Sequence, residues 1–502
     1  MAGKEFGRVR VPHLTLPMTG LATRSLSTSP NDAPQPWYRA LSQPAKEFAT
    51  TPLPIISGQL PAGLQGTYYQ NGTGRLVRGG VPVGHWFDGD GAILRVGIGT
   101  EGATGTYRYV QTAGYQAESQ AGQYLYGNYG RRYPGPLWQH ITGLFSGTSI
   151  KNAANTSVMA LPDKLLALWE AGNPHSLDLE TLDTFGLESL GWLKTAQPFS
   201  AHPLKDPKSG EIYSIGVSPR CELSMYRCDA ACNLIRQTTI PLKTVPLVHS
   251  FVLAGPYLVF LISPVKVNLL PLLLNQQAYA DALEWREEQG TRVLVVDRET
   301  LEVVSDSRTE AWFQWHYGNG CLESDGSIRL DYVRFDNFTH INEVLREATT
   351  GRITTQAYGS LWQLRLEPKT GRILSHDCVL DRDCEFPQVP AAQTGQPWQH
   401  TYLLMHRNGV GTGDDWFGAI GRFDYASERL IQADLGTGHY GSEPMHVPAQ
   451  AGAGWIINVV YSAIAQRSEL WIFDAQTLGD PICRLALPEI IPLGFHGTWQ
   501  AA

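Results

Sequence analysis

The chain has 502 residues, of which 43% are hydrophobic and 17% charged, and its formal net charge is −8. A protein that holds a phosphate backbone needs clustered Lys and Arg, so this composition argues against a nucleic-acid partner. The 51 glycines, 32 prolines and 14 tryptophans favour turns and aromatic strands over long helices. Seven cysteines without a CxxC pair are typical of reduced thiols, not of a disulfide framework or a zinc ribbon.

Residues 1–34 contain scattered Arg, Ser, Thr and Pro but lack the unbroken apolar run of a secretory signal. We expect a disordered N-terminal tail here, with a transit peptide as the alternative. Beyond this tail no Gly/Ser-rich linker divides the chain. Residues 35–502 are therefore predicted to form a single catalytic domain, located in the cytoplasm.

Several segments consist of an alternating apolar run, an Asp- or Pro-led turn, and a second alternating run, the pattern of a β-hairpin. They are LDLETLDTFG at 177, VLVVDRETLEVV at 293, LWQLRLEPKTGRIL at 361, IGRFDYASERLI at 420 and ELWIFDAQTLGDPICRL at 469. Their spacing of roughly 50 to 70 residues is longer than one bare four-stranded unit. An all-β fold is predicted: a β-propeller with long insertions on one face, or alternatively two or three β-sandwiches.

The most apolar part of the chain is residues 247–285. His249, Lys266 and three prolines interrupt it, so a membrane-spanning helix is not predicted. Within it, residues 266–285 are predicted to be an apolar insertion with a short helix. This insertion either packs on the domain as a lid or contacts a bilayer surface, which would make the protein peripherally membrane-associated. The candidate contact residues are Leu269, Leu270, Leu272, Leu273 and Leu274.

Four of the fourteen histidines lie at the edges of strand-like runs: His202, His249, His316 and His496. Taken singly, each is more often a packed core histidine than a ligand. A propeller brings distant residues to one axis, however, so these four could converge without a local spacing motif. Imidazole binds Zn, Cu, Fe or Ni, and the residue type alone does not select the metal.

The Asp-Gly alternation of FDGDG at 87 could suggest paired catalytic carboxylates or a calcium loop. It lacks the later bidentate Glu of an EF-hand, and Asp-Gly pairs are what tight turns require. We therefore expect Asp88 and Asp90 to serve a structural hairpin turn.

Ten fragments in order resemble carotenoid cleavage oxygenases, above all the cyanobacterial apocarotenoid-cleaving members, from about residue 50 onwards. They are GTYYQNGTG at 66, HWFDGDGA at 85, KNAANTSV at 151, LLALWEAGNPHSL at 165, SAHP at 200, WHYGN at 315, CEFPQV at 384, SEPMHVP at 442, QRSELWIFDA at 466 and FHGTW at 495. The resemblance implies a seven-bladed β-propeller whose insertions form a cap over one face. It also implies an Fe(2+) ion held on the axis by the four histidines, with O2 as co-substrate.

The resemblance further implies that Glu170, Glu385 and Glu443 orient three of these imidazoles from behind. Such carboxylates compensate the charge of iron, fix the imidazole tautomers and leave coordination positions free. In the family a small β-branched side chain crowds one of those positions, and Thr156 matches it. The chain departs from the family pattern at Ser250, where Asp is usual, and at Gly320, where Ala is common.

The activity implied is oxidative cleavage of a conjugated C=C bond in a carotenoid or apocarotenoid, giving two carbonyl products. The polyene would lie in an apolar tunnel, for which we nominate Trp169, Tyr317 and Phe338. The alternatives are a stilbene-cleaving dioxygenase on the same fold, a propeller glycosidase using carboxylates such as Asp88 and Glu170, and a non-catalytic propeller. The sequence leaves the oligomeric state open.

Overall fold

The computed structural model describes residues 33–146 and 149–502. Nearly all of the tail expected for residues 1–34 lies outside these ranges. Residues 35–502 form one compact unit. Seven antiparallel sheets of four to six strands make up this unit as the blades of a β-propeller, which confirms the predicted fold class.

The blades are numbered here in the order in which their innermost strands surround the axis, and each is given below with its strand bounds.

Blade 1 contains Phe48–Pro52, Gly66–Arg75, Asp90–Gly99, Gly102–Tyr109 and Gly494–Ala501. Blade 2 contains Ser157–Ala160, Leu165–Leu168, His175–Leu177 and Thr184–Leu187. Blade 3 contains Leu204–Lys205, Ile212–Ser218, Glu222–Cys228 and Leu234–Pro241. Blade 4 contains Val252–Ala254, Tyr257–Ile262, Thr291–Asp297 and Val303–Thr309.

Blade 5 contains Tyr317–Leu322, Ile328–Arg334, Ser360–Glu367 and Arg372–Leu380. Blade 6 contains Cys384–Gln388, His400–Met405, Ala419–Asp424 and Arg429–Asp434. Blade 7 contains Ile55–Gly58, His439–Gly441, Met445–Val447, Trp455–Ser462, Arg467–Asp474 and Leu478–Ala486. Two short ribbons, Val77–Arg78 with Val81–Pro82 and Val265–Val267 with Leu283–Trp285, lie outside the blades.

The ring is closed by an exchange of strands between the two ends of the chain. The late strand Gly494–Ala501 pairs with Gly66–Arg75 and becomes the innermost strand of blade 1. The early strand Ile55–Gly58 pairs with Leu478–Ala486 at the outer edge of blade 7. Each end of the chain therefore completes a blade begun by the other, and no inner edge strand is left unpaired at the junction.

All five predicted hairpins are present as antiparallel strand pairs in blades 2, 4, 5, 6 and 7. Their turns are built as the sequence suggested. In the blade 4 hairpin, the Asp297 carboxylate accepts hydrogen bonds from the backbone N–H groups of Glu299 (3.0 Å) and Thr300 (2.8 Å). Leu301 follows in the left-handed region with φ of 55°, so the Asp-led turn reverses the chain within five residues.

Within the described residues, five α-helices lie outside the blades, one before the first strand and four in insertions between strands. In chain order they are α1 (Arg39–Ser42), α2 (Ala113–Ala121), α3 (Leu137–Ser146), α4 (Leu269–Leu273) and α5 (Phe338–Glu347). Short 3-10 turns occur at Pro36–Tyr38, Trp86–Asp88, Glu287–Gln289, Ala348–Thr350 and Ala391–Gln393. Helix α4 is held between the strands of the ribbon Val265–Val267 and Leu283–Trp285, inside the insertion expected for residues 266–285. Within the described ranges, no helix is long and apolar enough to cross a membrane.

Candidate metal centre

Each of the four candidate histidines lies on, or shortly before, the innermost strand of a different blade. His202, His249 and His316 precede the inner strands of blades 3, 4 and 5, and His496 lies on the inner strand of blade 1. Inner strands converge on the propeller axis. The four imidazoles follow one another along the chain at separations of 47, 67 and 180 residues, and the fold brings them together on the axis, as expected from the sequence.

The distances between the imidazole nitrogens fit a shared metal ion. His249 Nε2 lies 2.9 Å from His202 Nε2 and 3.0 Å from His316 Nε2, and one nitrogen from each of the four rings lies within 4.8 Å of all the others. Two imidazole nitrogens about 2.1 Å from one ion and at right angles to each other would be about 3.0 Å apart. The donor set thus suits an ion with neighbouring ligands at right angles, as in octahedral coordination.

Three of the four imidazole rings each contact a different glutamate through the Nδ1 atom. Glu170 pairs with His249 Nδ1, Glu385 Oε2 lies 2.6 Å from His316 Nδ1, and Glu443 Oε1 lies 2.8 Å from His496 Nδ1. A carboxylate can only accept a hydrogen bond, so each pair places the proton on Nδ1 and leaves the Nε2 lone pair for a metal. Among the described residues, His202 has no such carboxylate.

The three glutamates differ in how they are themselves held. Glu443 is 2% exposed, and its Oε2 accepts a hydrogen bond from the Gly497 N–H at 2.8 Å. Its Oε1 also accepts one from Gln388 Nε2 at 2.6 Å, a contact that sequence reasoning missed. The Glu170 side chain, in contrast, is 31% exposed. Gln388 therefore acts on His496 through Glu443, whereas water can reach Glu170.

Burial sets the protonation of the cluster. It holds the pKa of His202 and of His316 well below the ordinary value, and the neighbouring imidazoles lower both further. Both rings are therefore neutral and keep a free lone pair. Burial also raises the pKa of Glu385 to about 8, with a smaller contribution from Glu443. A divalent cation next to His316 would reverse that trend, since it favours the charged carboxylate.

A cavity of about 890 Å³ opens directly onto the histidine cluster. Its walls are largely apolar and aromatic, with Trp86, Phe87, Trp169, Trp315, Phe417 and Phe495 among them. Cavities of this size bury most of the surface of an elongated ligand. Trp169, one of the three residues nominated for a tunnel, lies in this wall, and so does Thr156. The Thr156 carbonyl accepts a hydrogen bond from the backbone N–H of His496 at 3.3 Å.

The other two nominated tunnel residues do not line this cavity. Tyr317 is the first residue of the strand that follows His316, and its side chain points away from the cavity. Its hydroxyl accepts a hydrogen bond from the Leu261 backbone N–H at 3.0 Å. Phe338 begins helix α5 and packs on Phe313 with ring centroids 5.0 Å apart. Both nominations are corrected, because neither side chain lines this cavity.

The two aspartates of the FDGDG segment are structural, but not in the hairpin turn that we expected. Asp88 ends the 3-10 turn Trp86–Asp88, and its carboxylate accepts hydrogen bonds from the backbone N–H groups of Gly84 (3.1 Å) and Gly130 (2.8 Å). Asp90 begins a strand and pairs with Arg78 at 2.6 Å in a buried ionic cluster. Asp88 does not line the cavity, so it cannot pair with Glu170 as a glycosidase would need.

An apolar surface patch surrounds one end of the cavity and is built from two helices. Leu270 and Leu273 on α4 and Leu274 directly after it are exposed by 65%, 50% and 40%, while Leu269 and Leu272 are half-buried and line the cavity. Exposed Leu137, Trp138 and Ile141 on α3 belong to the same patch. The helices are joined by a contact of 2.9 Å between His140 Nε2 and the Leu272 carbonyl. Sequence reasoning missed α3, although its segment LWQHITGLF carries the apolar signal.

The fold and the site together define a class: a seven-bladed propeller whose axis carries four inward-facing imidazoles that could hold a metal ion, beside one large apolar cavity.

Comparison with known proteins agrees with this class. Residues 41–501 match the family model described as retinal pigment epithelial membrane protein (RPE65). The apocarotenoid-15,15'-oxygenase of Synechocystis sp. is 31% identical over 95% of this chain and 99% of its own. A carotenoid 9,10(9',10')-cleavage dioxygenase of Phaseolus vulgaris is 26% identical over 89% of this chain and 86% of its own.

Among solved structures, cobalt-substituted Synechocystis ACO superposes with a TM-score of 0.84 at 31% identity, covering 94% of this chain and 99% of that one. The chain therefore belongs to the RPE65/carotenoid oxygenase family. It is an oxidoreductase of the dioxygenase class, as the sequence motifs implied.

Proposed function

We propose that this protein is an Fe(II)-dependent dioxygenase that cleaves one conjugated C=C bond of an apocarotenoid or carotenoid to give two carbonyl products. The observation that carries the proposal is the cluster of four imidazoles, with Nε2 atoms 2.9 and 3.0 Å apart, opening onto the apolar cavity. The fragment-by-fragment resemblance favours iron among the metals that imidazole can bind. The similarity to an apocarotenoid-15,15'-oxygenase over 99% of that chain favours a shortened polyene as the substrate.

Ferrous iron, held by His202, His249, His316 and His496, would supply activation of dioxygen. The protein residues supply position and environment. Glu385 and Glu443 keep two Nδ1 protons in place, which directs both Nε2 lone pairs at the same point. A bound polyene displaces water from the apolar cavity, and the aromatic walls hold this flat, rigid ligand by packing alone. A polyene held in this way presents one double bond to the histidine cluster.

The proposal is tested by metal content and by product identity together. Purified protein reconstituted with ferrous iron is expected to retain about one iron per chain and to convert apocarotenals into two carbonyl fragments, identified by mass spectrometry. His202→Ala should lose both iron and activity. The matched control is His446→Ala, because His446 is also buried but its Nε2 contacts the Ala453 carbonyl at 2.7 Å outside the cavity. Iron retention by His202→Ala, or no carbonyl products from iron-loaded wild type, would contradict the proposal.

A stilbene substrate is the alternative within the same fold. Resveratrol is therefore assayed beside the apocarotenals, and cleavage of the diphenol in preference to every polyene would favour that alternative. The full-length similarity to an apocarotenoid oxygenase makes the polyene the expected substrate.

We also propose that the patch on α3 and α4 rests on a bilayer surface, from which the substrate enters. Polyenes of this kind dissolve in membranes, and the patch exposes Trp138 and Leu270 by 65% each beside cavity-lining Leu272. Large exposed apolar patches of this sort are typical of membrane-contact or protein-contact surfaces. Burying such side chains in lipid removes apolar area from water, which favours binding by about 25 cal/mol per Å².

Liposome co-sedimentation tests the membrane proposal. The double variant Trp138→Glu/Leu270→Glu is expected to lose most of its lipid binding while keeping its iron content. Ile464→Glu is the control, because Ile464 is 74% exposed but lies on a turn of blade 7 and belongs to neither helix. Equal sedimentation of the double variant and wild type would remove the proposal.

A further inference from the structure

A tyrosine, a histidine and a glutamate form a hydrogen-bonded triad at the junction of blades 4 and 5. The Tyr332 hydroxyl lies 2.6 Å from His376 Nε2, and His376 Nδ1 lies 3.2 Å from Glu310 Oε1. Tyr332 is fully buried, whereas the side chains of His376 and Glu310 are exposed by 12% and 59%. None of the three residues lines the cavity. These residues, which we call the Tyr332 triad, therefore connect the interior with the surface.

The protons of the Tyr332 triad have defined positions. A carboxylate only accepts hydrogen bonds, so Glu310 places a proton on His376 Nδ1, and His376 Nε2 accepts from the Tyr332 hydroxyl. Burial raises the pKa of Tyr332 well above its ordinary value, so the phenol stays protonated. Burial, followed by the charge of Arg334, lowers the pKa of His376, so this ring is neutral and able to take one more proton.

A buried hydroxyl that only needs a partner can use a backbone carbonyl. Tyr402 is 2% exposed, for example, and its hydroxyl donates to the Ala475 carbonyl at 3.0 Å. Tyr332 instead donates to a base, and an imidazole in hydrogen-bond contact is a suitable proton acceptor. Such a partner matters when a tyrosine loses an electron, because the O–H proton then becomes strongly acidic and must leave in the same step. The triad thus favours oxidation of Tyr332 to a neutral radical.

The two tryptophans beside the triad are less suited to losing an electron. The rings of Trp312 and Trp362 each lie 4.7 Å from the His376 ring. The Arg334 guanidinium lies over both indole rings, 5.5 and 4.3 Å from their centroids, and this positive charge opposes the removal of an electron. Trp312 Nε1 also has no hydrogen-bond partner among the described residues. Tyr332 is therefore the side chain of this cluster that is oxidised most readily.

Short contacts connect Tyr332 with a candidate metal ligand. Tyr317 directly follows His316 in the chain, and its ring packs on that of Tyr332 with centroids 6.0 Å apart. In addition, the backbone N–H of Val333, the residue after Tyr332, donates to the His316 carbonyl at 3.1 Å. An electron from Tyr332 therefore reaches the histidine cluster through one ring contact, or through one backbone hydrogen bond, and the covalent bonds that adjoin it.

We propose that Tyr332 is a redox-active tyrosine that protects the metal centre against oxidative damage. Hydrogen peroxide and ferrous iron produce strong one-electron oxidants, and such an oxidant at the histidine cluster takes one electron from Tyr332 by way of Tyr317 and His316. The Tyr332 O–H bond breaks and the proton moves to His376 Nε2, which leaves a neutral tyrosyl radical and an imidazolium paired with Glu310. A thiol in solution then supplies one electron and is itself oxidised, and His376 returns the proton. The inference goes beyond the proposed function and depends on it only for the iron that generates the oxidant.

The first test looks for the radical in iron-loaded protein. The full-length protein is mixed with hydrogen peroxide, frozen rapidly and examined by electron paramagnetic resonance. Wild type is expected to show a neutral tyrosyl radical whose g-tensor reports a hydrogen bond from a charged donor, and Tyr332→Phe should lose most of this signal. Tyr402→Phe is the matched control, because it removes a likewise buried hydroxyl whose partner is a carbonyl and not a base, and it should keep the signal.

The second test needs no iron. A flash-generated ruthenium(III) complex oxidises the metal-free full-length protein, and transient absorption follows the tyrosyl radical. His376→Gln removes the base but keeps a polar side chain, so the part of the signal that depends on Tyr332 should form about 100-fold more slowly, the lower end of what a positioned proton acceptor contributes. His400→Gln is the control, since His400 pairs with Asp424 at 2.8 Å on blade 6, and it should leave the rate unchanged.

The third test concerns protection of the metal centre. Iron-loaded protein is treated repeatedly with small amounts of hydrogen peroxide, and peptide mass spectrometry quantifies oxidation of Trp315, whose ring lies 4.9 Å from that of His249. Tyr332→Phe should accumulate several-fold more oxidised Trp315 than wild type, because the oxidant then has no other ready electron donor nearby. Tyr402→Phe should match wild type.

The inference would be overturned by a wild-type protein that forms no tyrosyl radical with either oxidant, or by an unchanged radical in Tyr332→Phe. Equal oxidation of Trp315 in wild type and Tyr332→Phe would overturn the protective role. If wild type binds no iron but the flash experiment still detects the Tyr332 radical, the redox-active triad is supported and the proposed function is contradicted.

Discussion

The different surroundings of Glu443 and Glu170 predict different consequences of the same substitution. In Glu443→Gln, one atom of the new amide replaces Oε1 and must accept hydrogen bonds from His496 and Gln388. The other atom replaces Oε2 and faces the Gly497 N–H. An amide has one acceptor and one donor group, so it cannot accept all three hydrogen bonds. At 2% exposure no bulk water can compensate. In Glu170→Gln the side chain is 31% exposed, so water can take over the lost contact.

Loss of a group that orients a metal ligand typically lowers metal affinity by about 10- to 100-fold, or about 1.4 to 2.7 kcal/mol. We place Glu443→Gln at the upper end, because a buried donor is left unpaired in addition to the loss of orientation. Glu170→Gln belongs at the lower end. The two variants should therefore differ by about tenfold in metal affinity although they carry the same chemical change.

Competition with a chelator measures this difference directly, with cobalt as a spectroscopic metal and with ferrous iron under anaerobic conditions. Urea unfolding of the metal-free proteins serves as the control, since both variants should keep a cooperative transition. The reasoning would be refuted if Glu170→Gln lost as much affinity as Glu443→Gln, or if neither variant lost affinity.

Three further predictions concern stability. Lys151→Met leaves Asp90 and Glu118, two carboxylates of a cluster that is at most 3% exposed, to share the cation Arg78. This excess of buried negative charge should cost about 3–5 kcal/mol in urea unfolding, whereas Arg286→Ala in a pair at the surface should cost less than about 1 kcal/mol. Burial raises the pKa of Asp88 to about 6 from 3.8, so its contribution to stability falls as pH rises through 6. Between about pH 4 and pH 8, the free energy of unfolding of Asp88→Asn should therefore fall by about 2–3 kcal/mol less than that of wild type. Urea unfolding across that range would detect the difference. Tyr317→Phe removes the hydroxyl contact to Leu261 and should cost about 1 kcal/mol without changing polyene affinity, and a changed affinity would contradict the placement of this ring outside the cavity.

Local chain chemistry accounts for what could be predicted from the sequence. The five hairpins were recognisable because an Asp-led turn such as the one at Asp297 uses contacts within five residues. The four histidines could also be selected from the sequence, because each lies at the edge of a strand-like run. The glutamates behind them were reached only through resemblance, because Glu385 and His316 are 69 residues apart and no local pattern joins them.

The parts that were missed depend on contacts between blades. The sequence did not show that the side chain of Tyr317 points away from the cavity. Successive side chains of an extended chain point in opposite directions, so a residue next to a ligand faces away from it. Gln388 carries no signal in the sequence, because it matters only through its contact with Glu443 on another segment. The role of α3 as a partner of α4 likewise required the contact between His140 and Leu272.

The strand exchange between blades 1 and 7 has a consequence for biosynthesis. His496 lies on Gly494–Ala501, the final strand to join the ring, while the other three imidazoles belong to blades made earlier. Before this strand has been translated, a nascent polypeptide therefore contains three of the four histidines, and its ring of blades is not yet closed. A metal ion can therefore be bound by all four imidazoles only after the last strand has been translated.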